Sequence, residues 1–283
     1  MQRLLFATDL SSRSHWAMER SLLLAAELAV PLTVLHVVDE DLPEAIARHH
    51  CQAAEQTIRD RITALPSHKG VDLAVRVVLG RAAGEILRQA EAEAAKAIVL
   101  GTPREERLAD MFRGTTPERV LRGARVPVLV VAAAKIRGPY RRVMIGVDFS
   151  MCSRRAIEHA VAMVPEARFF LIHAYEVPFA GFLHGRESEA AIGEQHERKL
   201  TAMINDEMEA LEREHGGRAP LFQRVMARGR APEVIRAEVE RLCPDLLVVG
   251  THGRTGVPHA IIGSVAEDLL SAPPCDVMAV KAW

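Results

Sequence analysis

The stretch VVGTHGRTGVPHAIIGSVAEDLL, Val248–Leu270, decides how the rest of the chain is read. It opens as an apolar strand, continues as a glycine-rich loop and ends in a helical pattern that begins at Ser264. Within it Gly250, Gly253 and Gly263 precede Ser264 in the spacing G-x2-G-x9-G-S. Each glycine removes a Cβ where a loop can wrap closely around a ligand. Ser264 is placed to cap the helix, and Glu267 three residues later completes a capping-box pattern. The unpaired N–H groups of a helix start, with the positive end of its dipole, form an anion site. The stretch reads as a loop that holds phosphate.

Working outward, apolar runs of strand length alternate with helical patterns from Arg3 onward, which implies βαβ units and parallel strands. Strand-like runs fall at Arg3–Thr8, Leu32–Val38, Val71–Leu79, Ala97–Leu100 and Val126–Val131. Helical patterns lie between them at Ser12–Ala29, Leu42–Leu65, Gly84–Ala94 and from about Thr115. After the Gly-Pro linker Lys135–Tyr140 the same grammar restarts. Val143–Val147 leads into Asp148 as Leu5–Thr8 leads into Asp9. Phe170–Ala174 echoes Val34–Val38, which aligns His173 with His36. Gly229-Arg230-Ala231 echoes Gly80-Arg81-Ala82, Leu246–Gly250 echoes Ile98–Gly101, and Val277–Val280 echoes Val128–Val131. The extra length of the second copy falls where Phe179–Gly193 is inserted, a segment able to form a flap. A repeat of about 140 residues is too long for a solenoid and indicates two copies of one domain, 1–137 and 138–283.

Composition narrows the function. The 283 residues carry a formal net charge of −1 and only 4% aromatics, which gives neither a field nor stacking platforms for nucleic acid. No apolar run is long enough for a membrane span, and the N-terminal MQRLLFATDLS lacks a signal-peptide core. Cys51, Cys152, Cys243 and Cys275 lie far apart with no C-x2-C pair, a pattern of reduced cytoplasmic thiols. His49-His50-Cys51 is a solvated run and not a metal cluster, because adjacent helical residues do not share a face. Neither a Walker A motif, a G-x-G-x-x-G after a first strand, nor a nucleophile elbow is present. No residue is singled out as catalytic or metal-binding.

The G-x2-G-x9-G-S loop in its strand-loop-helix context resembles the ATP-binding signature of the universal stress protein family. The resemblance covers nearly the whole chain as a tandem pair. It implies an α/β fold of two open five-stranded parallel sheets, each in order 3-2-1-4-5 with helices on both faces, of the adenine-nucleotide alpha-hydrolase-like type. In that order strands 1 and 4 are neighbours at a topological switch point, where such sheets bind ligands. Carried onto matching positions, the resemblance gives Val147, Asp148 and Ala174 to the nucleoside end. Gly250, Gly253, Gly263, Ser264 and Val265 fall to the phosphates. It implies ATP, with or without Mg²⁺, at about one per chain, and a cytoplasmic regulatory or protective role in the stress response. Two other classes stay open: an interaction scaffold without nucleotide, or an enzyme limited to slow ATP hydrolysis. Family members dimerise through strand 5, which implies an internal pseudo-dimer of the two halves; a further homodimer is left open.

Each site residue also has a plainer reading. Asp148 suits a helix cap, Ser264 is a cap whether or not it touches phosphate, and Gly250 suits a tight turn. The first copy departs from the pattern: its loop GTPREERLADMFRGTTPE keeps Gly101 and Gly114, has Thr115 for Ser264, but places Arg104 where the middle glycine belongs, followed by Glu105 and Glu106. That reads as a decayed site in which Asp9 serves structure alone. Valine at position 263 is expected to obstruct only ligand-facing backbone and leave the fold intact.

Overall fold

The structure is a computed structural model that describes residues 2–102, 114–132, 136, 138–176, 194–195, 197–206, 209, 213, 222–253 and 262–282. Arg104–Glu106 and the insertion Phe179–Gly193 lie outside the described residues. By their contacts, residues 1–139 with 270–279 form one compact unit, and 140–269 with 280–282 form a second.

In the first unit the strands are β1 (Arg3–Thr8), β2 (Leu32–Val38), β3 (Leu73–Leu79), β4 (Ala95–Gly101) and β5 (Val128–Val131). They pair in parallel in the order β3-β2-β1-β4-β5. The connecting helices are α1 (Ser14–Leu28), α2 (Glu44–Thr63), α3 (Ala82–Ala92) and α4 (Thr116–Gly123). Strands covered on both faces need unbroken apolar runs, and Leu4, Leu5 and Phe6 of β1 are fully inaccessible, as are Ile98 and Val99 of β4. The edge strand β3 is only half-buried. There Arg76 pairs with Glu93, which also meets Arg3 and Thr33. Helix α1 starts at Ser14, two residues later than its apolar pattern. The Thr8 hydroxyl donates to Ser14 Oγ at 2.9 Å and the Ser14 hydroxyl to the Ser11 carbonyl at 2.8 Å, which holds the intervening residues as a turn.

The second unit repeats the plan. Its strands β6 (Arg142–Gly146), β7 (Arg168–Tyr175), β8 (Phe222–Arg228) and β9 (Leu246–Gly250) pair in parallel in the order β8-β7-β6-β9. Helix α5 (Met151–Met163) follows β6, and helical residues 197–206 form α6. Helices α7 (Ala231–Leu242) and α8 (Ser264–Ser271) follow β8 and β9.

The last strand, β10 (Asp276–Val280), belongs to the second copy by sequence, yet its residues 276–279 group with the first unit. There it runs antiparallel to β5, with Val277 opposite Val130 and Ala279 opposite Val128. The apolar edge that Val128–Val131 would otherwise expose is thereby paired, and all four residues are buried. A buried ion pair fixes the strand: Arg20 Nε lies 3.1 Å from Asp276 Oδ2. Arg20 also donates to the Gly138 carbonyl at 2.7 Å, and Asp276 Oδ1 accepts the Ala132 N–H at 2.9 Å. Those added hydrogen bonds are what a buried charge pair requires.

Candidate functional site

The site begins where β6 runs out. Val147 continues the ladder by donating its N–H to the Ile172 carbonyl at 2.8 Å, and Asp148 opens a turn. Asp148 Oδ1 accepts the Ser150 N–H at 3.0 Å and the Ser150 hydroxyl at 2.5 Å, an Asx turn. Ser150 in turn caps α5, its Oγ accepting the Ser153 N–H at 3.2 Å. The plainer reading of Asp148 as the helix cap is therefore incorrect. Between the two sits Phe149 at φ 64°, a left-handed conformation that costs a residue with a Cβ about 1–2 kcal/mol. Its ring lies 4.5 Å from that of His173.

The three glycines answer different demands. A Cβ at Gly250 would fall 2.7 Å from Cys152 Cβ, so this glycine admits the start of α5 against β9. A Cβ at Gly253 would fall 2.9 Å from Asp148 Oδ2, so this one lets the loop pass close to the carboxylate. At Gly263 the added atom would meet the Thr251 carbonyl oxygen at 3.1 Å, the same oxygen that accepts the Gly263 N–H at 2.7 Å. A valine there presses on the loop's own backbone, which corrects the expectation that it would obstruct ligand-facing backbone alone.

The role of Ser264 also changes. The Gly263 carbonyl accepts the Glu267 N–H at 2.9 Å, so Gly263 is the capping residue and Ser264 the first residue of the helix. Ser264 is exposed and its hydroxyl stands at the helix start without serving as the cap.

These pieces enclose a cavity of about 390 Å³, within the range of small-molecule sites, at the C-terminal ends of β6, β7 and β9. Val147, Asp148, Ala174, Gly250, Gly253, Gly263, Ser264 and Val265 all line it. Ile172, Val249, Ala231 and Ile235 add an apolar wall, and Thr251 and His252 complete the loop side. Sequence reasoning missed these residues. The signal for Ala231 lies in the repeated Gly-Arg-Ala triplet, whereas Ile235 comes one helical turn later and looks like ordinary core. The lining thus combines apolar side chains, a carboxylate and the start of α8. Among the described residues no group of His, Cys, Asp or Glu could hold a metal ion.

In the first unit the equivalent groups are engaged with one another. Asp9 Oδ1 accepts the Ser11 N–H at 3.0 Å and the Ser11 hydroxyl at 2.6 Å, and Leu10 repeats the left-handed twist at φ 61°. Burial pushes the Asp9 carboxyl up, but the Ser11 hydroxyl and N–H, with the Arg13 guanidinium, outweigh it and hold the group below the usual carboxylate range. Thr115 is a true cap, accepting the Glu118 N–H at 3.3 Å. The Glu118 carboxylate accepts the Gly114 N–H and pairs with Arg122 at 2.7 Å.

A comparison with protein-family models matches the Universal stress protein family over residues 1–132 and again over 139–281. The chain belongs to the universal stress protein family. This universal stress protein is 29% identical over 145 residues to a universal stress protein of Methanocaldococcus jannaschii, a match covering 50% of this chain and 82% of that one. To universal stress protein A homolog 1 of Coxiella burnetii it is 27% identical over 143 residues, covering 50% and 96%. The crystal structure of a universal stress protein from Archaeoglobus fulgidus DSM 4304 superposes with a TM-score of 0.70 at 19% identity, over 99% of this chain and 96% of that one. That likeness is one of fold. Among the described residues no helix of this universal stress protein is long and apolar enough to cross a membrane.

Proposed function

We propose that this protein is a cytoplasmic stress-response protein that binds ATP in its C-terminal copy, with or without Mg²⁺, and acts as a regulatory or protective module. The observation that carries the reading is the cavity itself: apolar side chains, a carboxylate and a helix start line it together, the three kinds of surface that base, ribose and phosphates require. The apolar wall of Ile172, Ala174, Ala231 and Ile235 suits a purine. Asp148 supplies an acceptor for ribose hydroxyls, and the Ser264 hydroxyl with the first N–H groups of α8 suits the phosphates. Gly253 leaves the Asp148 carboxylate room, and Gly263 lets the loop close on the Thr251 carbonyl at the start of α8. The domain carrying this site is 138–283; the domain 1–137 carries the altered loop. We also propose an internal pseudo-dimer of the two copies through their fifth strands, a reading supported by the antiparallel register of β5 and β10.

Equilibrium titration of the purified protein with ATP tests the function. The expected stoichiometry is about one nucleotide per chain; zero or two would overturn the reading. Single-turnover product analysis with Mg²⁺ is expected to give slow hydrolysis at most. For the pseudo-dimer, the two halves expressed separately are expected to self-associate, and monodisperse monomers would count against it.

A further inference from the structure

His173 is 3% exposed and lies directly beneath the turn that carries Asp148. Its Nδ1 is 2.8 Å from the Val147 carbonyl oxygen. A carbonyl only accepts, so Nδ1 carries the proton and donates it. The same imidazole packs on the ring of Phe149, centroid to centroid 4.5 Å, at 57° between planes. One side chain therefore grips the residue before Asp148 and the residue after it. Phe149 is also the left-handed residue of the turn, a conformation that persists only where its surroundings impose it.

The first unit supplies an internal control. His36 donates from Nδ1 to the Thr8 carbonyl at the same 2.8 Å, and Leu10 takes the same left-handed twist. The hydrogen bond is thus part of the repeated fold. The ring contact is not, because Leu10 has no ring to offer. It occurs in the copy whose aspartate faces the cavity.

We propose that His173 is a positioning residue: by holding the Val147 carbonyl and the Phe149 ring together, it fixes the Asp148 turn so that Oδ2 stays at the cavity beside Gly253. The consequence for ligand rests on the ATP reading above, while the consequence for the turn does not, and the test separates the two. The variants are His173→Leu, which removes the donor, His173→Asn, whose amide N–H can replace Nδ1–H, and Phe149→Leu, which installs the residue of the first copy. The first readout is hydrogen exchange of the Ser150 amide, whose acceptor is Asp148 Oδ1, in protein without ligand. The second is affinity for ATP and for inorganic tripolyphosphate, which lacks the ribose that Asp148 would hold.

His173→Leu is expected to speed Ser150 exchange about tenfold, the loss of one buried hydrogen bond, with β6 and β7 amides unchanged. It is expected to weaken ATP binding by a similar factor while leaving tripolyphosphate within about twofold. His173→Asn should restore most of both losses, and Phe149→Leu should show a smaller version of them. Unchanged Ser150 exchange in His173→Leu overturns the proposal, whatever the ligands do. So does a parallel loss of ATP, tripolyphosphate and sheet-amide protection, which marks a residue that only holds the core together. If the wild-type protein binds neither ligand but Ser150 exchange responds as described, the ATP reading fails and the positioning role stands. Should His173→Leu not fold, Phe149→Leu decides by the same exchange measurement, since its twin already folds with leucine there.

Discussion

Gly114 and Gly263 stand at the same place in the two copies, one residue before a hydroxyl at a helix start, yet their N–H groups go to different acceptors. In the first copy the acceptor is the Glu118 carboxylate; in the second it is the Thr251 carbonyl. Thr115 is occupied as a cap, whereas Ser264 has moved inside its helix and lines a cavity. Glu118 and Glu267 are the same residue in the same register, so composition does not separate the copies; the point at which the helix begins does. A helix start is available to an outside anion only when the chain's own acceptors have not already taken its donors.

Variants can break or sharpen that contrast. The largest effect is expected from Asp276→Ala, which removes the buried carboxylate that pairs with Arg20 in the first unit. Removing one partner of a buried pair costs about 3–5 kcal/mol, to be read by chemical denaturation. The double variant Arg20→Met/Asp276→Leu should recover much of it, and a single variant as stable as wild type would refute the role given to the pair. Next comes Gly253→Ala. Its Cβ lands 2.9 Å from Asp148 Oδ2, and displacing that carboxylate should weaken ATP binding by about 2 kcal/mol, roughly thirtyfold, in a titration. Arg104→Gly sharpens the contrast in the other copy: the stoichiometry should stay at one, because the α4 start is still taken by Glu118. Two nucleotides per chain would show that Arg104 alone had closed that site.

Smaller effects should split between stability and binding. Thr115→Ala is expected to cost about 1 kcal/mol of stability and leave ATP affinity unchanged. Ser264→Ala should do the reverse, with stability intact and affinity down a few-fold. Asp9→Asn gives the smallest change. A carboxyl held below its usual range stabilises the fold above its unfolded pKa, and that contribution fades as pH falls through the lowered folded value. Wild type should therefore exceed Asp9→Asn at neutral pH and converge with it in acid. The gap should be slight, since the Asp9 side chain is 63% exposed and screened by water.

Much of the fold was legible because parallel strands buried on both faces write themselves as unbroken apolar runs, and LLFA, LTVLHVV and AIVL are such runs. The eight residues expected at the site share one cavity because they sit at strand ends and loop glycines, where position along the chain fixes position in space. What the sequence withheld was local geometry. Whether Ser264 is a cap or the first helical residue turns on one residue's backbone angles. Gly250 was read as room for a ligand, but its closest neighbour is Cys152 on a helix that local spacing cannot place. The histidines were aligned as twins with no task assigned, since a bond from a strand-2 side chain to a strand-1 carbonyl leaves no periodic trace.

The strand at 276–279 closes a sheet whose other members were made more than a hundred residues earlier. During synthesis the first copy must therefore wait, its Arg20 without Asp276 and its Val128–Val131 border open, until nearly all of the second copy has emerged. The half translated first is then finished no sooner than the half translated last, and a chain halted midway would present a ready template for another unfinished chain.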